Sequence, residues 1–212
     1  MTEPSSPLMK TPLHALHVKL GGRMVEFGGY DMPIQYPEGI MAEHNWTRAH
    51  AGLFDVSHMG PSFLALPELG GGDEAHRKVA AIVEKLVPSD IAGLTPGKVQ
   101  LTVLLNEDGG IVDDLMIGRP ADPARQGMLY IVVNAGTKDN DFALIQKTAG
   151  SDAELRRADD RALIALQGPE AEAVIASIIP EAVALTFMHF VRVEHPEYGR
   201  IMATRCGYTG ED

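Results

Sequence analysis

Two hydrophobic periods run through the chain. Leu13, Leu16 and Leu20 recur at helical spacing after Thr11-Pro12, an N-cap followed by a first-turn proline, and Gly21-Gly22 stops them, so a short helix is predicted there. Arg23 to Phe27 reads as a strand closed by Gly28-Gly29, and Tyr30 to Pro37 as an irregular loop with large side chains. A second helix is predicted over Glu38 to His50, ending at Gly52, followed by an extended stretch from Leu53 to Leu66 that breaks at His58-Met59-Gly60-Pro61. Asp73 can cap the next helix, in which Val79, Ile82, Val83 and Leu86 form a stripe suited to lying on a sheet. Val99 to Leu105 and Gly110 to Ile117 are apolar runs joined by Asn106-Glu107-Asp108-Gly109, which is hairpin chemistry because Asp-Gly supplies positive φ.

The same order then recurs. A strand over Leu129 to Asn134 precedes a helix over Thr137 to Lys147 carrying Phe142, Ile145 and Gln146. After these come a strand over Arg161 to Leu166, a helix from Pro169 to Ile178, and a hairpin of Val191 to Glu194 with Ile201 to Arg205 around Tyr198-Gly199. Strands and helices interleave while several strands join by hairpins, so the predicted fold is α+β, with mixed or antiparallel sheets covered by helices.

Composition narrows the function. Hydrophobic residues are 45% and charged residues 22% of 212, an ordinary globular balance that sets disorder aside. A formal charge of −11 with no basic patch makes nucleic acid and acidic lipid poor partners. The single Cys206 excludes an internal disulfide and a four-cysteine zinc site, and suits a reducing compartment. Met1 to Lys10 has neither the basic start nor the apolar stretch of a signal peptide, and no apolar run reaches the roughly 18 residues of a membrane span. A soluble cytoplasmic protein is expected. Phosphate-loop, dinucleotide and nucleophile-elbow signatures are missing. The eight histidines, His14, His17, His44 and His50 among them, have no metal-ligand spacing, so no metal is expected.

The adjacent carboxylates Asp113 and Asp114 interrupt the apolar strand Ile111 to Ile117. On a strand they face opposite ways, Asp113 with Ile111 and Leu115, Asp114 with Val112 and Met116. A carboxylate flanked by groups that cannot solvate it is raised in pKa and usually has a role. The plainer alternative is that one aspartate bonds a turn or helix N-terminus and the other meets water at an edge. Asn134, ending an apolar run, can face a ligand or cap its own loop. Glu211, in Gly207-Tyr208-Thr209-Gly210-Glu211-Asp212, can accept paired hydrogen bonds from a flat ligand or sit in an exposed turn.

Seven segments in order carry a resemblance: Thr11-Pro12-Leu13, Gly28 to Pro33, Leu53 to Gly60, Asn106 to Leu115, Val133-Asn134-Ala135, Leu166 to Pro169 and Thr204 to Asp212. They resemble the aminomethyltransferase, or T-protein, family of the glycine cleavage system. The resemblance covers a little more than the first half of the family's usual length, and the chain stops in a polar turn motif. It therefore implies that residues 1–212 are an N-terminal folate-binding region, with the C-terminal domains that complete the pocket absent. The exposed apolar surface left behind would favour self-association and weak folate binding.

The resemblance implies further that the one-carbon unit on the lipoyl arm of H-protein passes to tetrahydrofolate, the acceptor substrate, with release of ammonia. Asp114 matches the family's essential carboxylate. Met59, Leu101, Asp114, Met116, Val132, Asn134, Phe187 and Glu211 are the implied folate-binding set, with Asn134 and Glu211 holding the pterin. Leu101 stands where the family often has tyrosine, and Phe187-Met188 where some members carry other aromatics. The competing possibilities are a non-catalytic folate-binding relative of iron–sulfur assembly factors, the folate domain of a flavoenzyme, and an inactive interaction fragment. The context of Cys206 argues against the first, and the lack of a flavin fingerprint against the second.

Overall fold

A computed structural model describes residues 7–207 of the chain. Its first part is a small outer layer. Helix α1 (His14–Lys19) leads into the hairpin β1 (Arg23–Phe27) and β2 (Tyr30–Gln35), then α2 (Ile40–Ala49) and β3 (Gly52–Asp55). Two expectations are corrected here. Leu16 and Leu20 are exposed, and the buried residue of α1 is His17, whose ring bonds the Tyr36 hydroxyl at 2.7 Å and the Asp55 carboxylate at 2.8 Å. That polar anchor decides which face of α1 turns inward, and the leucines are left outside. The stretch from Tyr30 is a strand rather than a loop, because Gly28 (φ 57°) and Gly29 (φ 82°) both adopt the left-handed conformation of a two-residue hairpin turn. Pro33 is tolerated there because β2 belongs to a sheet of only two strands.

The centre of the molecule is a five-stranded antiparallel sheet. Its strands are β4 (Gly60–Ala65), β5 (Val99–Leu105), β6 (Ile111–Gly118), β7 (Met128–Val133) and β8 (Glu154–Arg157), in spatial order β5-β6-β7-β4-β8. The Asn106 carboxamide accepts from the Asp108 and Gly110 backbone amides, and Gly109 sits at φ 78°, which closes the predicted β5–β6 hairpin. Helices α3 (Gly72–Val83) and α4 (Lys138–Ala149) cover one face, where Leu64, Leu115, Ile117, Leu129, Ile131 and Val133 meet Val79, Ile82, Val83, Phe142 and Ile145. Each large side chain removed from water there contributes on the order of 1.5–3 kcal/mol. Asp73 does not cap α3. It lies in the first turn and accepts from Arg119 instead. Strand β8 has no counterpart among the predicted elements, since three of its four residues are charged, as suits a sheet edge. The Gln146 side chain on α4 accepts from the Leu155 amide and helps to hold β8 in place.

The chain closes with β9 (Ile164–Gln167) paired to β3, helix α5 (Ala171–Ala176), and the hairpin β10 (His189–His195) and β11 (Gly199–Arg205). Every strand pair is antiparallel. The β10–β11 hairpin docks beside β5 on the sheet face away from the helices: Val99 N donates to Met188 O and Phe190 N to Gly97 O, both at 2.8 Å. Phe190 and Tyr130 rings lie 6.0 Å apart. Gly118 makes this approach possible, since a Cβ there would stand 2.8 Å from Val99 and 2.9 Å from Phe190. Gly118→Val is therefore expected to cost about 1–3 kcal/mol by overpacking. Urea unfolding would read this as a lower midpoint, and an unchanged midpoint would mean that the hairpin is not seated there. No helix among the described residues is long and apolar enough to cross a membrane.

Candidate functional site

Antiparallel register assembles the site. Leu101 pairs with Met116, Met116 with Val132, and Val132 with Pro61, so these four side chains form one row across the sheet, on the face that the helices leave free. Met59, just before β4, and Val132 are buried in the cluster that Phe190, Met116 and Met188 also join. Leu101 at the outer strand is 58% exposed, so the row runs from a closed end to an open one. Tyr130 lies between the rings of Phe63 and Phe190, and burial pushes its phenol up to about 12, with Cys206 adding to the shift.

Beside this row, two residues along β6 and β7 on the same face, stand Asp114 and Asn134. The Asn134 Nδ2 donates to Asp114 Oδ1 at 2.6 Å and to Asp113 Oδ1 at 2.8 Å, while the Thr137 hydroxyl donates to Asp113 Oδ2 at 2.6 Å. With two carboxylates against its nitrogen, the Asn134 amide has only one sensible orientation, and its carbonyl oxygen faces away from them. Asp113 and Asp114 do point to opposite faces. The apolar enclosure expected around Asp114 is corrected, however: Asp114 and Val112 are exposed, because none of the described residues covers that end of β6. Asp113 accepts from Thr137 just ahead of α4, while Asp114 is exposed. Despite burial, the hydroxyl and amide donors hold the Asp113 carboxyl below its usual range.

Behind Asp113 lies a residue that the sequence reading missed. Asp141, on α4, is fully buried, and neither of its oxygens has a hydrogen-bond partner among the described residues. Burial first, and then the Asp113 carboxyl, push it up to about 6; Thr137 opposes this without reaching the geometry of a formed hydrogen bond. A signal was available, since Lys138, Asp141, Phe142, Ile145 and Ala149 form one buried helical stripe in which the carboxylate is out of place.

The model of the GCVT N-terminal domain matches residues 13–212. The chain belongs to that family. It is 38% identical to the mitochondrial aminomethyltransferase of Dictyostelium discoideum, over 98% of this chain and 50% of the relative. It is 41% identical to the mitochondrial aminomethyltransferase of Pisum sativum, over 98% and 49%. The crystal structure of the glycine cleavage system aminomethyltransferase T from Bartonella henselae superposes with a TM-score of 0.80 at 38% identity, covering 97% of this chain and 52% of that one. The chain spans about half the length of the curated relatives it matches.

Within this GCVT N-terminal domain, Met59, Leu101, Met116, Val132, Asp114 and Asn134 share one sheet face, although they come from four separate segments. Phe187 is exposed; its neighbour Met188, with a left-handed φ of 59°, turns into the same apolar cluster. Glu211 lies outside the described residues. A cavity of about 1040 Å³ opens between the same face and the β10–β11 hairpin, with Phe63, Tyr130 and Phe190 in its wall. Its rim arginines are largely matched by acids, Arg125 with Asp122, Arg156 with Glu154, and Arg192 and Arg200 with Glu194. None of Met59, Leu101, Asp114, Met116, Val132, Asn134 and Phe187 lines this cavity. Among the described residues, no group of three or more His, Cys, Asp or Glu side chains could hold a metal ion.

Proposed function

We propose that this chain supplies the tetrahydrofolate-facing part of a glycine cleavage aminomethyltransferase, which moves the one-carbon unit from the aminomethyl-lipoyl arm of H-protein to tetrahydrofolate and releases ammonia. The observation that carries it is the apolar row Leu101-Met116-Val132 with the Asp114–Asn134 pair beside it, two residues along β6 and β7 on the same face. A flat heterocycle with a polar edge fits such a strip: the row packs against its face, and the outward carbonyl oxygen of Asn134 accepts from its N–H edge. Met59 closes the buried end, and Phe187 and Glu211 are placed by resemblance at the ligand. The aminomethyl nitrogen, in its protonated form, leaves as ammonia with the carbon–nitrogen electron pair. The exposed Asp114 carboxylate stabilises the sulfur-bound cationic carbon until one folate nitrogen captures it. The carbon–sulfur bond then breaks, the second folate nitrogen closes the methylene bridge, and the two protons the nitrogens give up go to the departing lipoyl thiolate and to Asp114. A reducing compartment such as the cytoplasm suits a chain whose single cysteine is Cys206.

Calorimetric titration of the chain with tetrahydrofolate tests the site. Saturable binding is expected. Because Leu101 is exposed, Leu101→Asp should leave stability intact while weakening binding by about tenfold or more, roughly 1.4 kcal/mol of lost apolar contact. Leu101→Tyr should tighten binding through a larger ring against the ligand. Absence of saturable heat, or indifference to both changes, would remove the assignment.

A further inference from the structure

Among the described residues, Asp141 is a fully buried carboxyl with no hydrogen bond at either oxygen, the proposed chemistry does not use it, and it lies one helical turn from Thr137, which bonds Asp113. We propose that Asp141 and Asp113 hold a single proton between them, and that this proton fixes the Asn134 amide and, through it, Asp114. Two carboxyls brought together away from water cannot both ionise cheaply. Asp113 is the member equipped to carry the charge, since Thr137 donates to one of its oxygens and Asn134 to the other. Asp141 has no donor at either oxygen and zero exposure, so it is the member that keeps the proton and can offer it to Asp113.

The other charged groups around α4 are engaged elsewhere. Arg157 of β8 lies over the Phe142 ring and pairs with Asp139 and Asp159; Lys138 bonds the Tyr30 hydroxyl; on α3, His76 bonds the Ile91 carbonyl. The upward push on Asp141 described above, to about 6, agrees with this assignment. If Asp141 ionises, an unpaired charge in the core repels Asp113, and the Asn134 amide loses a fixed acceptor. Asp141 is then a positioning residue acting through Asp113. Its bearing on catalysis rests on the reading of Asp114 given above, whereas the shared proton does not.

The test uses the whole chain with Asp141→Asn and Asp141→Leu, following thermal unfolding and the side-chain amide NMR signals of Asn134 between pH 4 and 8. The folded protein binds the Asp141 proton more tightly than the unfolded chain, where the value is about 4. Stability from this group is therefore complete below about pH 4 and is lost as pH rises through 6. The wild-type melting temperature should fall across that window, and the Asn134 amide signals should shift with it. Asp141→Asn, a permanent neutral donor, should abolish both changes and hold Asn134 in its low-pH state. Asp141→Leu should also abolish the fall in stability, but displace or broaden the Asn134 signals at every pH. A fall that persists in Asp141→Asn, or Asn134 signals in Asp141→Leu that match the wild type, would overturn the shared proton. Loss of tetrahydrofolate binding with these signatures intact would count against the functional reading alone.

Discussion

Asp114→Asn is expected to lower the rate of methylenetetrahydrofolate formation by about 10²- to 10⁴-fold, the usual contribution of a placed proton-transfer group, while changing tetrahydrofolate affinity only a few-fold. The substitution keeps the shape of the side chain. Its carbonyl oxygen can still accept from Asn134 Nδ2, which now stands 2.6 Å from Asp114 Oδ1, so the Asn134 carbonyl stays turned toward the ligand. What disappears is the charge facing solvent beside the row. Single-turnover kinetics and equilibrium titration of the chain, extended by the half that its relatives carry, separate the two effects. Equal losses in rate and affinity would make Asp114 an anchor for folate, and no loss would leave it a surface carboxylate. Asp113→Asn provides the contrast. Its oxygens already receive Thr137 and Asn134, so that change should act on α4 and on stability before it acts on turnover.

Some of this was legible in the sequence because local chemistry decided it. The β5–β6 hairpin follows from Asn106 and Gly109, and the buried stripe of α3 from Val79, Ile82 and Val83, whatever the rest of the chain does. Periodicity gives a face but not what covers it. Leu16 and Leu20 of α1 lie outside because His17, Tyr36 and Asp55, distant in sequence, make a stronger claim on the inner face. Asp114 was assigned the correct face with the wrong surroundings for the same reason: Val112 shares that face, yet no element among the described residues covers it. Strand β8 was invisible because an edge strand of Glu154, Arg156 and Arg157 reads as polar loop. The row Leu101-Met116-Val132 could be proposed only through family resemblance. It depends on the register between three strands, which the spacing of the residues along the chain does not reveal.

That register makes Arg119 the polar residue whose loss should cost most. Arg119 follows β6 directly and is almost completely buried. Its guanidinium donates to the Gln126 side-chain oxygen and the Leu94 carbonyl, both at 2.7 Å, and to Asp73 at 2.5 Å, tying the β6–β7 connection to the start of α3. Arg119→Leu fills much of the same volume but donates nothing, and Gln126, itself 2% exposed, loses the partner of its carbonyl oxygen in the interior. The expected cost is about 2–4 kcal/mol, the range for stranding buried acceptors. Because two of the three lost bonds go to uncharged oxygens, and the Asp73 side chain is 69% exposed, that cost should stay nearly constant from pH 5 to pH 8. Arg119→Lys should cost less, since a single ammonium can still serve one acceptor. Denaturant unfolding at several pH values measures all three expectations, and a loss below about 1 kcal/mol for leucine would show that the connection is held by packing alone. The change should also reach the site. The connection sets β6 against β7, where Leu115 faces Val133 and so brings Asp114 beside Asn134. A slip of one residue would turn Asp114 to the helix face and Asp113 to the ligand face. Tetrahydrofolate binding by Arg119→Leu should therefore weaken even at temperatures where the protein remains folded.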